Sequence, residues 1–194
     1  LKNADMAMYR AKEQGRNNIQ FFSADMNEEL QRQLRIEREM RQAMQDNQLS
    51  FHYQPVFDVA TGRVAALEAL LRWNHPEQGL LYPWQFLDVA EQSGLLVQLG
   101  QWICHNVGLQ GRAIQAMNPE QPIPVSLNLS ARQYHHPQLL RLLENMLDQT
   151  HIAPALVAVE VDERVVSDRL EEAIPILERI KALGIKLVLD RFGS

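Results

Sequence analysis

The second half of the chain alternates short apolar runs with longer amphipathic segments, and this alternation restricts the fold more than any other feature. Residues 125–130, 157–163 and 185–192 have the length and composition of strands, whereas residues 137–149 and 168–183 have helical spacing. Strict alternation of strand and helix is typical of parallel βα units. The pattern therefore predicts an α/β fold, either a doubly wound sheet or a (β/α)8 barrel.

Alternate positions on one predicted strand favour the barrel. Ser126, Asn128 and Ser130 share one face of that strand, while Leu127 and Leu129 share the other. A barrel interior tolerates polar side chains near its C-terminal mouth, whereas the opposite face must be apolar to pack on helices. A complete barrel needs about 250 residues, so residues 49–194 are expected to form an incomplete TIM-like barrel.

The segment before the alternation predicts a strand hairpin. Residues 49–58 and 64–73 read as strands, and the connection between them contains Gly62 and is too short for anything but antiparallel pairing. The first strand should therefore run against the others. Helical patterns follow over residues 83–92 and 97–117.

The N-terminal quarter predicts a different organisation. Residues 3–14 have the spacing of a short helix, and residues 19–22 read as a strand. Residues 23–47 contain neither Gly nor Pro and are rich in Glu, Arg and Gln, which predicts a linker helix with a solvated face. The domain boundaries expected from this reading are 1–22, 23–47 and 48–194.

A carboxylate interrupts the apolar second strand at Glu68, and burying an ionised carboxylate is costly unless a cation or a donor compensates it. Later strands repeat the oddity with Asn128, Glu160 and Asp190. These side chains should converge because the carboxyl ends of parallel barrel strands meet at one mouth. Such oxygen donors suit Mg²⁺ or Mn²⁺. The alternative is that each is paired internally, for example Glu68 with Arg72.

Composition limits the remaining classes. A chain of 194 residues with 46% hydrophobic residues and a net charge of −5 is typical of a soluble globular protein and argues against non-specific binding of DNA, RNA or anionic membranes. Cys104 is the single cysteine, which fits a reducing cytoplasm. No apolar run approaches the ~18 residues of a membrane span. We expect a cytoplasmic fragment of a longer protein, which an upstream segment could anchor to a membrane.

Two family resemblances follow from ordered motifs. The segment from Ala4 to Asn17 looks like the closing helix and strand of GGDEF domains, which are diguanylate cyclase-like. Farther on, five motifs resemble those of the EAL-domain cyclic di-GMP phosphodiesterases: Gln54-Pro55, Glu68-Ala69-Leu70-Leu71-Arg72-Trp73, Asn128-Leu129-Ser130, Glu160-Val161-Asp162-Glu163 and Asp190-Arg191-Phe192-Gly193. The resemblance implies a modified TIM barrel with an antiparallel first strand.

The resemblance also implies chemistry and roles. Two divalent ions would activate water to open cyclic di-GMP to linear pGpG, and two copies could pair through the EAL domain. Carried over by position, the metal ligands would be Glu68, Asn128, Glu160 and Asp190, with Glu68 and Asp190 catalytic. Gln54 and Arg72 would contact the substrate, and Glu163 would anchor the loop after the Asp190-Arg191-Phe192-Gly193 segment.

Arg191 departs from the family pattern, which has a second Asp at that place to help hold the second metal ion. Replacing a carboxylate by a guanidinium should weaken that site. Three functions remain open: a metal-dependent cyclic di-GMP phosphodiesterase, a degenerate EAL domain that senses cyclic di-GMP without cleaving it, and another metal-dependent TIM-barrel hydrolase.

Overall fold

The computed structural model describes residues 24–167 and 170–191, and the chain divides into two units, residues 1–42 and 43–194. The helix and strand predicted within residues 1–22 lie outside the described residues. The predicted linker helix is observed as α1 (Ala24–Gln45). Its surface carries exposed ion pairs one turn apart, Arg32 with Glu29 and Arg41 with Glu37, each at 2.9 Å, as expected for a solvated face.

The second unit is built on a mixed six-stranded sheet in which β1 pairs antiparallel with β2, and β2, β4, β5 and β6 follow in parallel. The antiparallel hairpin and the parallel strands after it agree with the predicted barrel-type organisation. Within the described residues, the strand order does not close on itself. The strands are β1 (Leu49–Phe57), β2 (Val64–His75), β3 (Gly79–Leu81), β4 (Val125–Leu129), β5 (Val157–Asp162) and β6 (Lys186–Asp190).

Helices connect the parallel strands, as the alternation predicted. They are α2 (Leu87–Gln92), α3 (Leu96–Met117), α4 (Ala131–Tyr134), α5 (Leu139–Thr150), α6 (Glu163–Ser167) and α7 (Leu170–Ala182), with 3₁₀ turns at Pro83–Gln85 and Pro154–Leu156. No helix among the described residues is long and apolar enough to cross a membrane.

Three short elements were not predicted: β3, α4 and α6. Gly79 adopts a φ of +73° at the start of β3, which lets the chain turn back on β2. Ser130, read as a strand residue, instead caps α4: its Oγ accepts the backbone N–H of Gln133 at 3.3 Å, and Gln133 Oε1 accepts the N–H of Ser130 at 3.0 Å. Glu163, also read as strand, is the first residue of α6.

The face of the sheet that carries Val125, Leu127 and Leu129 is buried under helices, and none of these three side chains is more than 8% exposed. Helix α3 approaches α5 closely because Gly108 lacks a side chain. A Cβ on Gly108 would lie 2.6 Å from Thr150 Oγ1. This outer layer is the hydrophobic core of the unit.

A buried aromatic cluster closes the core beside β2. Trp73 is 0% exposed, its indole N–H donates to Gln48 Oε1 at 3.2 Å, and its ring meets Phe86 edge-on with centroids 5.5 Å apart. His75 is 5% exposed, and its Nδ1 accepts the backbone N–H groups of Glu77 and Gln78 in the turn before β3.

Candidate active site at the carboxyl ends of the strands

The register of the parallel strands brings the predicted polar residues to one face. Glu68 on β2 lies beside Ser126 on β4, and Asn128 lies beside Glu160 on β5. Asp162, two residues after Glu160, lies beside Asp190 on β6. Because laterally paired residues and residues two apart share a face, all of these side chains lie on the inner face, opposite the helices.

Glu68 and Asn128 are in direct contact. Asn128 Nδ2 donates a hydrogen bond to Glu68 Oε1 at 2.7 Å. This bond orients the carboxylate and, since the amide nitrogen is engaged, leaves the amide oxygen of Asn128 as an acceptor. Glu68 is half-buried, and the Asn128 amide supplies part of the compensation that burial of its carboxylate requires.

Glu160 shows the electrostatic cost of this grouping. Burial raises the pKa of its carboxyl, and the nearby charges of Glu68 and Asp190 raise it further. The nearby Ser126 hydroxyl lowers the pKa of Glu160, but its Oγ makes no well-formed hydrogen bond with the described residues. Burial and like charge therefore determine the direction of the shift in this pKa. A cation among these carboxylates would relieve both.

A cleft of about 950 Å³ opens at this end of the sheet. Glu68, Asn128 and Asp190 line it, together with apolar side chains from β2, β4 and the following loops. Its volume lies at the upper end of the range typical of small-molecule sites. Gln54, Arg72 and Glu160 are not among the described residues that line the cleft.

Gln54 and Arg72, the predicted substrate residues, lie on either side of Glu68. Gln54 is exposed and is the antiparallel partner of Glu68 across β1 and β2, so both side chains leave the same face. Arg72 does not pair with Glu68 in the described structure. Arg72 is four positions after Glu68 on β2, which separates their Cα atoms by about 13 Å. Instead the Arg72 guanidinium lies 4.8 Å from the centre of the Tyr82 ring, and its Nη1 donates to the carbonyl of Leu71 at 2.8 Å.

Tyr82 and Trp84 extend this contact outward. Their rings stack with centroids 4.6 Å apart, and Trp84 is 71% exposed. Glu163, the predicted loop anchor, is half-buried at the start of α6, and the loop it was expected to hold, after Gly193, lies outside the described residues.

A cluster of opposite charges that the sequence reading missed lies at the same mouth. Asp162 accepts the backbone N–H of Arg164 at 2.9 Å and two guanidinium bonds from Arg164 at 3.0 and 3.2 Å. Arg191 Nη1 donates to the same carboxylate at 3.2 Å. Hydrogen bonds from the Arg164 side chain and then its backbone lower the pKa of Asp162 to about 2, with a smaller contribution from Arg191. The carboxylate is thus ionised and held by two cations.

The donor set suits a hard divalent cation, but it is not converged into a cage. Three carboxylates, with the pKa of Glu160 raised by burial and by the other two charges, an amide oxygen and no thiolate fit Mg²⁺ or Mn²⁺ by chemical type. As the side chains stand, the described residues include no group of three or more His, Cys, Asp or Glu side chains close enough to hold a metal ion. Binding a cation would require side-chain rotations.

Comparison with known proteins adds independent information. The family model described as the EAL domain matches residues 37–194. The cyclic di-GMP phosphodiesterase NbdA of Pseudomonas aeruginosa is 38% identical over 194 residues, which are 100% of this chain and 25% of that protein. The bifunctional diguanylate cyclase/cyclic di-GMP phosphodiesterase MucR of the same organism is 38% identical over 192 residues, 99% of this chain and 28% of that protein. The chain therefore spans about a quarter of the curated relatives it matches.

A solved structure shares the fold. The PaMucR phosphodiesterase in complex with c-di-GMP superposes with a TM-score of 0.78 at 34% identity, over 82% of this chain and 64% of that one. The TIM-like α/β organisation inferred from the alternating pattern agrees with this likeness.

Proposed function

The chain belongs to the EAL domain family, and from this membership we propose that it is part of a metal-dependent phosphodiesterase that hydrolyses cyclic di-GMP to linear pGpG. The observation that carries the proposal is the shared inner face, on which strand register brings Glu68, Asn128, Glu160 and Asp190 to one mouth. The relatives NbdA and MucR are cyclic di-GMP phosphodiesterases, which supports the same substrate for this chain. The proposal extends to the whole protein of which this chain is a part.

The reaction explains why this set of side chains would be needed. Hydrolysis breaks one P–O ester bond, with hydroxide added to phosphorus and a proton to the leaving oxygen. Mg²⁺ or Mn²⁺, when bound, would offset the phosphate charge and lower the pKa of a water. Glu68, Asn128, Glu160 and Asp190 would hold the cation. The Asn128 amide keeps the Glu68 carboxylate oriented through its 2.7 Å hydrogen bond.

Gln54 and Arg72 are proposed to contact the substrate. Gln54 leaves the sheet beside Glu68, where it can donate to a phosphate or sugar oxygen. Arg72 presents a planar guanidinium, which matches a phosphate bidentately, and its Nε is buried without a partner in the described structure. Glu163 is proposed to anchor the loop after the Asp190-Arg191-Phe192-Gly193 segment.

We further propose that residues 1–22 are the end of a GGDEF domain and that the protein works in the cytoplasm, with pairing of two copies through the EAL domain. The motif from Ala4 to Asn17 supports the first point, and alignment with a bifunctional cyclase/phosphodiesterase is consistent with it. The alternative function, a sensor that binds cyclic di-GMP without cleaving it, is favoured only by Arg191.

Glu68→Ala in the full-length protein tests the proposal. We expect conversion of cyclic di-GMP to pGpG, followed by chromatography across a Mn²⁺ series, to fall by at least about 100-fold because an essential ligand is lost. The melting temperature should change little. Glu144→Ala removes an exposed carboxylate from α5 and serves as the control.

Two results would contradict the proposal, the first at Glu68 alone and the second in the function itself. Metal-dependent turnover that survives in Glu68→Ala would remove Glu68 from the metal site. Binding of cyclic di-GMP by the wild-type protein with no turnover at any Mn²⁺ or Mg²⁺ concentration would establish the sensor instead.

A further inference from the structure

Arg191 occupies a place where a carboxylate was expected, and the structure gives it a defined conformation. Its backbone has a φ of 55°, in the left-handed region that few residues other than glycine adopt. Its backbone N–H donates to Asp190 Oδ1 at 2.8 Å. Arg191 lines the cleft together with Asp162 and Arg164, and its guanidinium donates to Asp162. The guanidinium therefore lies at the edge of the space that the substrate would enter.

The two arginines hold Asp162 unequally. Arg164 supplies a backbone bond and two guanidinium bonds to this carboxylate. Arg191 supplies one bond of 3.2 Å and a looser ion pair with Asp190 at 3.7 Å, and its side chain is 60% exposed. Asp162 would keep its hydrogen bonds from Arg164 if Arg191 moved away. Little therefore opposes a transfer of Arg191 to another anion.

A phosphodiester is well suited to accept that transfer. A guanidinium cannot ligate a metal ion, but its paired N–H groups match two phosphate oxygens. The carboxylates of Glu68, Glu160 and Asp190 make the mouth repulsive to a phosphate unless cations offset them. Arg191 is a cation that the protein itself supplies at the edge of this group, and it lines the same cleft as Glu68 and Asp190.

We propose that Arg191 is a phosphate-binding residue, released from Asp162 when the substrate arrives, so that a protein guanidinium supplies phosphate neutralisation at the position where the family pattern has a metal-holding carboxylate. This inference rests on the proposed function, because it takes cyclic di-GMP as the ligand. It assigns Asp162 a positioning role, in which this carboxylate holds Arg191 beside the mouth before the substrate binds.

Ligand binding without metal tests the inference, since any contribution of bound cations is then removed. The full-length protein is titrated with cyclic di-GMP in EDTA by calorimetry, at low and high salt. We expect Arg191→Ala to weaken binding by about tenfold or more, as for loss of one charge-assisted hydrogen-bonded contact, and to make the affinity less dependent on salt. Arg191→Lys should lie between, because it keeps the charge and loses the planar fork.

Two further variants sharpen the result. Asp162→Asn removes the competing anion and should strengthen metal-free binding. Arg179→Ala removes an exposed arginine from α7 and should leave it unchanged. Guanosine, which has no phosphate, should bind wild-type and Arg191→Ala proteins equally. Melting curves of each variant establish that it is folded.

The outcomes separate this inference from the proposed function. If wild-type protein binds cyclic di-GMP and Arg191→Ala binds it equally or more tightly, Arg191 is not a phosphate ligand and the inference fails alone. If wild-type protein does not bind cyclic di-GMP with or without metal, the proposed function fails and the inference with it.

Discussion

The two faces of β4 and β5 differ in what surrounds them, although they alternate along the same few residues. On the outer face, Val125, Leu127 and Val159 are at most 1% exposed beneath the helices. On the inner face, Asn128 is exposed and Glu160 is half-buried beside other carboxylates. The outer face therefore stabilises the fold, whereas the inner face carries electrostatic repulsion. Substitutions should destabilise the protein on the outer face and can stabilise it on the inner face.

The largest loss of stability is expected on the outer side, at Trp73. Truncation of this fully buried ring by Trp73→Ala should lower the free energy of unfolding by about 3–5 kcal/mol. Urea denaturation measures the change. Trp84→Ala is the matched control, since Trp84 is 71% exposed and its loss should cost far less. Equal losses for the two tryptophans would mean that Trp73 contributes no more to the core than a surface residue does.

Crowding the helix layer should have a smaller effect. Gly108→Ala would place a Cβ 2.6 Å from Thr150 Oγ1 and 2.8 Å from Thr150 Cγ2, so α3 and α5 must separate. We expect a loss of about 1–3 kcal/mol in the free energy of unfolding. Gly100→Ala, on the same helix, would meet the ends of two flexible side chains, Leu142 at 3.3 Å and Gln133 at 3.8 Å, and should be neutral or stabilising. Equal destabilisation by both would contradict the close approach at Gly108.

The smallest effect, with the opposite sign, is expected on the inner face at Glu160. Its pKa is raised in the folded state, so the folded protein binds this proton more tightly than the unfolded chain does. The resulting stability is present below the unfolded pKa and is lost as pH rises through the folded pKa. Glu160→Gln removes that loss. In EDTA it should raise the melting temperature by about 2 °C near pH 7, because the carboxyl is half-exposed and screened, and change it little near pH 4.

Metal ions extend this comparison. Mn²⁺ should raise the melting temperature of the wild-type protein and raise that of Glu160→Gln less, because the variant lacks a proposed ligand. A lower melting temperature for Glu160→Gln in EDTA near pH 7 would show that the ionised carboxylate is stabilising and that the inner face is not strained by like charge.

The period of two along the strands explains which parts of the site could be predicted. Asn128 alternates with Leu127 and Leu129, so its face followed from the sequence, and parallel pairing then placed Glu160 and Asp190 on that face. The partners of the arginines could not be predicted in this way. The sequence suggested Arg72 as an ion-pair partner of Glu68, but the Arg72 guanidinium contacts the Tyr82 ring. Tyr82 follows β3, and the pairing of β3 with β2 brings it close to Arg72. That pairing depends on three strand residues and a positive φ at Gly79, which leave little periodic signal.

Asp162 was missed for a related reason. It ends a strand-like run, and nothing in the spacing shows that the chain turns into α6 immediately afterwards and brings Arg164 back onto it. The contact with Arg191 joins residues 29 positions apart, one at the end of β5 and the other just after β6. This ion pair could have been suspected, because Asp162 and Arg191 carry opposite charges and lie at the ends of two neighbouring predicted strands. The left-handed backbone that aims Arg191 has no signature in the sequence.

Strand β2 runs well past the end of its pairing with β4. The parallel register with β4 ends at Ala69, whereas β2 continues to His75 and is covered there by β1 and β3. The mouth is consequently lopsided, with a wall carrying Arg72, Tyr82 and Trp84 on one side and a low rim at the ends of β5 and β6 on the other. The wall is built from strand pairs other than those that align Asn128, Glu160 and Asp190. Its height and aromatic surface can diverge during evolution without shifting the alignment of those donors.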